Sequence, residues 1–498
     1  MNVRDLLQGL TSEPIAAIPV SGVACHSKQV RPGDLFIAME GASMDGHAFI
    51  EEAIARGASA VIAQRLPNRY RPGGSPQASR PCPCVIVGDS REALAVIAAR
   101  FYGHPSSKLR LVGVTGTNGK TTTTYLLKTI LEASGFRTGM LGTIVYQIGG
   151  RVVPSTNTTP GPLELQRYFA QMVAGGLPWC VMEVSSHALA QGRIAGVEFE
   201  AAIFSNLGAD HLDYHKTREA YAAAKRRLFD YIRPNGHAVI NGDDEYGRAL
   251  AQTLPHCTVT TYGMERPAKA TAKHIICSWQ GTSLVLETPW GVVPLTTPLL
   301  GRHNVWNIAA AATTLLALGI PIEPIREGLA GVEGVPGRLE QIPNDAGLNI
   351  LVDYAHTADA LRLALLSLRE LTRGRLIVVF GCGGNRDHSK RPVMGKMASL
   401  LADQVVLTSD NPRNEEPTDI IRQIKAGFAP GFQQYDVVPD REQAVISALS
   451  SARRDDTVLI AGKGHEAYQV FDHVSIPFSD RDVVEHWAAP RPSVALSS

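Results

Sequence analysis

Residues 112–127, VGVTGTNGKTTTTYLL, run from an apolar strand-like segment through a glycine-rich turn into a helix-like one. Glycines in such a turn let backbone N–H groups approach phosphate oxygens, and the following helix N-terminus adds the positive end of its dipole. Lys120 can then reach the β- and γ-phosphates, and the Thr121 hydroxyl can bind Mg²⁺. The spacing departs from G-x-x-x-x-G-K-T, because Val114 stands at the first glycine position and Gly113, Gly116 and Gly119 carry the turn. Strand, loop and helix together read as a nucleoside triphosphate site. A second stretch, TSDNPRNEEP at 408–417, follows the apolar run DQVVLT. Asp410, Asn411 and Arg413 place a carboxylate, an amide and a guanidinium on one short turn, which Pro412 stiffens by fixing its own φ and biasing Asn411 toward extended geometry. Either this is a polar connection whose Arg413 pairs with Glu415 or Glu416 at the surface, or it is a rigid mount for a planar, bidentate donor that reads a carboxylate.

These residues need elements to hold them. From about residue 110 the chain alternates strand-like and helix-like segments, which argues for an α/β fold with mostly parallel sheets. Strands are expected at 110–115, 180–184, 201–206 and 237–241, and again at 349–354, 375–381, 404–410 and 457–464. YAAAKRRLFDYI, 221–232, reads as a helix. Nearly every apolar run ends in chemically useful residues, among them Glu183-Val-Ser-Ser-His, Asp353-Tyr-Ala-His and Gly462-Lys-Gly-His-Glu. Ligands of open parallel sheets sit beyond the carboxyl ends of the strands, so two such domains facing each other enclose a site.

At 498 residues the chain exceeds one ordinary core. Breaks near GHPSSKLR (103–110) and EGVPGRLE (333–340) divide it into domains at 1–107, 108–336 and 337–498, with a Pro-, Gly- and Arg-rich excursion at 65–84. A formal charge of +1 gives no reason to expect nucleic acid or an anionic membrane as partner. Seven cysteines form no disulfide framework, and Cys82-Pro-Cys84 is not a metal or redox C-x-x-C. With no apolar signal core and no run of eighteen apolar residues, the expected location is the cytoplasm.

Motifs spread over almost the whole chain carry a resemblance. GVTGTNGKTTT, NTTP at 157–160, EVSSHAL at 183–189, SNLGADHLDYH at 205–215 and AAKRRLF at 223–229 are joined by GRHNVWNIAAA at 301–311 and GRLE at 337–340. VDYAHTADAL at 352–361, GCGGNRDHSKRP at 381–392, DNPRNEEP and AGKGHE complete the set. The chain resembles the Mur ligases, three-domain enzymes that form amide bonds with ATP through an acyl-phosphate. The resemblance implies an N-terminal uridine-nucleotide-binding α/β domain, a central P-loop domain and a C-terminal Rossmann-like domain. It is strongest to members that add diaminopimelate to a UDP-N-acetylmuramoyl-dipeptide, as monomers acting on small molecules.

That resemblance implies roles for particular residues. Gly116, Thr117, Asn118, Gly119, Lys120, Thr121 and Thr122 would cradle ATP, with Asn304, Arg338, Asp353 and His356 completing its site. Thr121, Glu183, His211 and Lys225 would hold Mg²⁺, Lys225 as a carbamate formed with CO₂. On their own, His211 reads more readily as a hydrogen-bonded structural residue and Lys225 as a solvated lysine, and it is the resemblance that reverses both; carbamylation needs a desolvated, neutral amine. Lys120, Lys225, His211 and Arg338 are the catalytic candidates, Arg338 arriving from a linker that can move with domain closure. Ser27, Ala42, Ser43 and Met44 match uridine contacts, although Cys25-His26 departs from the family pattern. Asn157, Thr158, Thr159, Ser185, Gln191 and Arg193 would grip the rest of that polyanionic substrate. Arg391, Asp410, Asn411, Pro412, Arg413, Gly462 and Glu466 would bind the incoming amino acid. Two other readings stay open: a ligase of the same family adding D-alanyl-D-alanine, against which DNPR and GKGHE count, and a P-loop ATPase that acts as a conformational switch.

Overall fold

The computed structural model describes residues 1–41, 44–66 and 82–489. Ala42, Ser43 and most of the 65–84 excursion lie outside the described residues. Three sheets organise the rest. The first has four parallel strands, Gly22–Ala24, Asp34–Ile37, Ala60–Ala63 and Cys84–Ile86, in chain order. The helix Ser90–Phe101 covers it, started by Asp89, whose carboxylate accepts from the N–H groups of Arg91 and Glu92.

The second sheet has eleven strands. Its parallel centre places Arg110–Thr115 between Trp179–Glu183 and Phe199–Phe204, flanked by Thr138–Leu141 on one side and Ile232–Asn241 and Thr258–Gly263 on the other. These strands are apolar at nearly every position because helices cover both faces. Lys120–Ala133 and the alanine-rich Asn304–Ala317 pack side by side on one face. Antiparallel pairings extend both edges: Val145–Ile148 with Arg151–Pro154 on one, and on the other Ala270–Ser278, which joins Thr258–Gly263 in parallel, followed by antiparallel Gly281–Thr288 and Gly291–Thr297. Gly281 (φ +128°) and Gly291 (φ +130°) turn the corners of the latter.

The third sheet has six strands in the order Glu340–Ile342, Asn349–Asp353, Thr457–Ala461, Leu376–Phe380, Gln404–Leu407 and Tyr435–Val437, parallel except for the first. A separate hairpin, Tyr468–Phe471 with Val474–Pro477, follows. The helix expected over 221–232 is shorter: Arg218–Arg226 is α-helical, Arg227–Tyr231 is 3₁₀, and the strand starts at Ile232. Tightening of the last turn is common at helix C-termini, and here it delivers the chain into the sheet. Among the described residues no helix is long and apolar enough to cross a membrane.

Candidate active site

The phosphate loop leaves the buried central strand Arg110–Thr115 and enters the helix at Lys120. Two glycines are required there. A Cβ on Gly116 (φ +148°) would lie 1.8 Å from Ser205 Oγ, and one on Gly119 (φ +87°) would lie 2.3 Å from Asn307 Oδ1. The loop is strapped to the neighbouring strand end: Thr117 N donates to Asn206 O and Asn118 N to Asn206 Oδ1, both at 2.9 Å. Lys120 Nζ donates to the loop carbonyls Gly116 O and Thr117 O, each at 2.9 Å.

Lys225, 1% exposed, donates from its Nζ to the same Gly116 O at 2.8 Å and lies 4.1 Å from the Tyr221 ring centre. Burial, and next the neighbouring Lys120 charge, push its pKa well below the ordinary lysine value. This is the neutral-amine environment that carbamylation requires. Glu183 is equally buried and accepts from Thr121 Oγ1 (3.0 Å), Thr143 N (2.7 Å) and Thr143 Oγ1 (3.0 Å). Arg338 Nη2 donates to Thr121 Oγ1 at 3.0 Å, so the linker between the second and third sheets touches the phosphate loop directly. His211 sits in a left-handed conformation (φ +56°) beside Asp210, and burial brings its pKa down to about 4. Among the described residues no group of three or more His, Cys, Asp or Glu is placed to hold a metal ion. The expected set takes only Glu183 and His211 from those residue types, which suits Mg²⁺, an ion that keeps several waters and substrate phosphates.

A cleft of about 370 Å³ opens between the second and third sheets, lined by Asn118, Gly119, Thr122, Arg338, Asp353 and His356. Asn304 is not on its wall. Its Nδ2 donates to Leu300 O (2.7 Å) and its Oδ1 accepts from Asn307 Nδ2 (2.8 Å), so it lies one helical turn behind Asn307, which does line the cleft. Trp306, whose Nε1 donates to Asp243 Oδ2 at 2.7 Å, also lines it and carried no signal in the sequence. Both Asp353 oxygens are taken by backbone, Leu339 N (2.7 Å) and Ala355 N (2.8 Å), which fixes the residue after Arg338.

A second cavity, about 170 Å³, is walled by Asp410, Asn411, Arg413, Gly462 and Glu466 on one side and Asp210, His211 and Asp213 on the other. Arg413 does not pair with Glu415 or Glu416. Its Nη1 donates to Gly384 O (2.8 Å) and Asn411 O (3.4 Å), neutral acceptors that leave its charge uncompensated. The turn is not simply extended, because Arg413 is left-handed (φ +52°), a conformation costing roughly 1–2 kcal/mol for a residue with a Cβ. Arg391 is not on the cavity wall. Its side chain is fully buried and forks onto Glu415 at 2.8 and 3.0 Å, holding that carboxyl at about 2, so both terminal nitrogens are spent inside the fold while Nε has no partner among the described residues. Arg386, in the same loop, lines the cavity instead, with Lys390. Pro412 is buried and shapes the turn without lining the cavity.

Of the expected uridine contacts, Ser27 points its hydroxyl at Glu52 (2.7 Å) and Met44 is exposed. Thr159 is fully buried; its Oγ1 accepts from Ser185 N (3.0 Å) and donates to Glu183 O (2.9 Å), while Ser185 Oγ caps the next helix at Ala188 N. Thr158 lies 3.1 Å from the Thr143 hydroxyl, and Asn157 N donates to Tyr146 at 3.1 Å. Arg193 donates to Gln191 Oε1 (2.9 Å) and Thr159 O (3.0 Å), again neutral oxygens.

Three family models match in chain order: the Mur ligase family catalytic domain at 19–102, the Mur ligase middle domain at 114–315 and the Mur ligase glutamate ligase domain at 337–464. A protein of Geobacillus kaustophilus (strain HTA426) named UDP-N-acetylmuramoyl-L-alanyl-D-glutamate–2,6-diaminopimelate ligase is 45% identical over 467 residues, 92% of each chain. The chain belongs to the Mur ligase family. A relative of the same name from Caldanaerobacter subterraneus subsp. tengcongensis is 43% identical over 488 residues, 97% of this chain and 98% of its own. A solved structure of a protein with that name superimposes with a TM-score of 0.70 at 32% identity, covering 98% of both chains. The MurF ligase from Thermotoga maritima, solved in complex with ADP, shares the fold at a TM-score of 0.63 and 22% identity, over 90% of this chain and 95% of its own.

Proposed function

We propose that this Mur ligase joins meso-2,6-diaminopimelate to UDP-N-acetylmuramoyl-L-alanyl-D-glutamate at the expense of ATP, in the cytoplasmic synthesis of peptidoglycan precursors. The observation that carries the choice of amino acid is the smaller cavity. Arg413 and Arg386 with Asp410 and Glu466 suit a head group bearing both a carboxylate and an ammonium, whereas the far end of lysine offers an ammonium alone. The names of the relatives at 40–45% identity support the same reading.

The chemistry runs in two steps. A carboxylate oxygen of the D-glutamyl acceptor attacks the γ-phosphorus of ATP, the bond to the β-phosphate bridging oxygen breaks, and ADP leaves. The amine of diaminopimelate then attacks the acyl carbon, phosphate departs, and the amine gives up a proton. Phosphoryl transfer is mostly positioning and charge neutralisation. Lys120 would exchange its two loop carbonyls for phosphate oxygens, and Arg338, already on Thr121, would neutralise the transferring group. Lys225, its amine pushed toward the neutral form by burial, would as a carbamate place an anion beside Gly116 that with Glu183, His211 and Thr121 would hold the metal. Bound Mg²⁺ supplies charge neutralisation at the phosphates. Asn157, Thr158, Ser185, Gln191 and Arg193 would orient the acceptor.

Phosphate release tests this against the switch-ATPase reading. A ligase needs both the nucleotide-dipeptide and an amino acid for full turnover; a switch needs neither. Undiminished release with ATP alone would refute the proposal.

A further inference from the structure

The Asp410–Arg413 turn is backed by the hairpin that follows it. Gln469 Nε2 donates to Asp410 O (2.9 Å), Val470 N to Asn411 Oδ1 (3.0 Å), Arg413 N to Val470 O (3.0 Å) and Asp472 N to Arg413 O (2.7 Å). Arg413 and Phe471 form an isolated parallel bridge. The last two hydrogen bonds engage both backbone groups of the left-handed Arg413, so strand Tyr468–Phe471 holds the conformation that an arginine would not adopt unaided. Behind the turn, fully buried Lys463 donates to Asn411 Oδ1 (3.1 Å) and Glu466 Oε2 (2.9 Å). With Lys463 and Val470 N both on Asn411 Oδ1, the Asn411 Nδ2 is committed to Glu466 Oε2 (2.9 Å). Neither Gln469, 5% exposed, nor Lys463 lines the cavity.

We propose that this backing layer determines amino-acid selectivity, with Gln469 and Lys463 as positioning residues. Gln469 fixes where the turn presents the Arg413 guanidinium, and Lys463 fixes the amide and carboxylate that face the ammonium. The inference rests on the reading of the cavity as the diaminopimelate site.

The test compares kcat/KM for meso-diaminopimelate and L-lysine, and KM for ATP, in wild type, Gln469→Met, Lys463→Met and Lys463→Arg. Gln469→Met keeps the volume and removes one donor. It should lower kcat/KM for diaminopimelate about tenfold and shrink the selectivity ratio to match, with KM for ATP unchanged. Lys463→Met should do the same, and Lys463→Arg should recover part of the ratio. An unchanged ratio in folded Gln469→Met, or an equal loss for both amino acids with a raised KM for ATP, overturns the inference while leaving the assigned function intact. A wild type that does not use diaminopimelate overturns the reading of the cavity and this inference with it. Hydrogen–deuterium exchange on wild type gives a second arm that needs no variant. Peptides covering 410–413 and 468–472 should gain protection together when diaminopimelate binds; protection of the turn without the strand overturns the coupling.

Discussion

At the phosphate loop, Lys120 and Lys225 converge on one carbonyl oxygen, Gly116 O, with no carboxylate bonded to either. In the C-terminal domain Arg391 forks onto Glu415 and Arg441 onto Asp480, each guanidinium fully buried and each charge matched. The contrast sorts the cations. Those resting on neutral oxygens, Lys120, Arg193 and Arg413, keep charge available for an anion, whereas burial and the Lys120 charge disfavour the charged form of Lys225. Those locked to carboxylates build the fold: Arg441 also donates to Ser409 O (3.1 Å) and Ala461 O (3.0 Å), tying together the two strand ends that carry the amino-acid cavity. A cation without a counter-charge is costly unless a ligand supplies one, so its survival at a sheet edge marks a binding site.

The largest effect should come from Lys120→Ala. Removing that charge should cut turnover by about 10²–10³ or more with the fold retained, as steady-state phosphate release and a thermal melt will show. Near-normal ligation by a folded variant would break the contrast at its strongest point. Lys225→Ala should also be inactive, but short-chain carboxylates should partly restore it by replacing the carbamate. Mass spectrometry after trapping in bicarbonate should find the added CO₂ on Lys225 and none on Lys120, whose contact with Gly116 O is similar but whose role is to face phosphate.

Arg413→Ala and Arg391→Met sharpen the comparison between the two guanidiniums. Arg413→Ala should reduce kcat/KM for diaminopimelate tenfold to a hundredfold, because the site is only partly buried, with KM for ATP unchanged. Arg391→Met should leave the diaminopimelate-to-lysine ratio and instead lower the melting temperature, since it strands Glu415. Both are read from the same kinetic and thermal measurements.

How far the sequence speaks follows from the same physics. The phosphate loop was legible because close backbone approach demands glycines and a lysine at fixed spacing, here Gly113, Gly116, Gly119 and Lys120, all within one short run. The eight inner parallel strands of the second and third sheets were legible as unbroken apolar runs, whereas Thr138–Leu141, Thr258–Gly263, Tyr435–Val437 and the four short strands of the first sheet were not read. The identity of the amino-acid contact was not: Arg386 and Arg391 lie in one motif, and what separates them is Glu415, distant in sequence, which claims Arg391 and leaves Arg386 at the cavity. Asn304 and Asn307 share a helix face, and only packing decides which reaches the cleft. The antiparallel strands between 270 and 297 were missed although Gly281 and Gly291 mark their corners.

A smaller effect should follow pH. Burial holds His303 and His465 at about 4, below the 6.5 of an unfolded histidine. A depressed folded pKa contributes stability that is complete above about pH 6.5 and is lost as pH falls toward 4. Each group costs up to about 1.4 kcal/mol per pH unit across that window. His303 Nδ1 lies 3.2 Å from Ser367 Oγ, across the boundary between the second and third sheets. Melting temperature should therefore fall through this range, and His303→Gln should flatten the fall; an unaltered profile would show that the contact carries no charge-linked stability.

Uncompensated Arg413, on its backed turn, is placed to select an amino acid whose far end carries a carboxylate. The direct test is the ratio of kcat/KM for meso-diaminopimelate over L-lysine in the unmodified enzyme, measured by ATP-dependent phosphate release with the UDP-N-acetylmuramoyl-dipeptide saturating. The ratio should be roughly a hundred or more, as expected when lysine leaves a guanidinium unpaired. Equal use of L-lysine would contradict it.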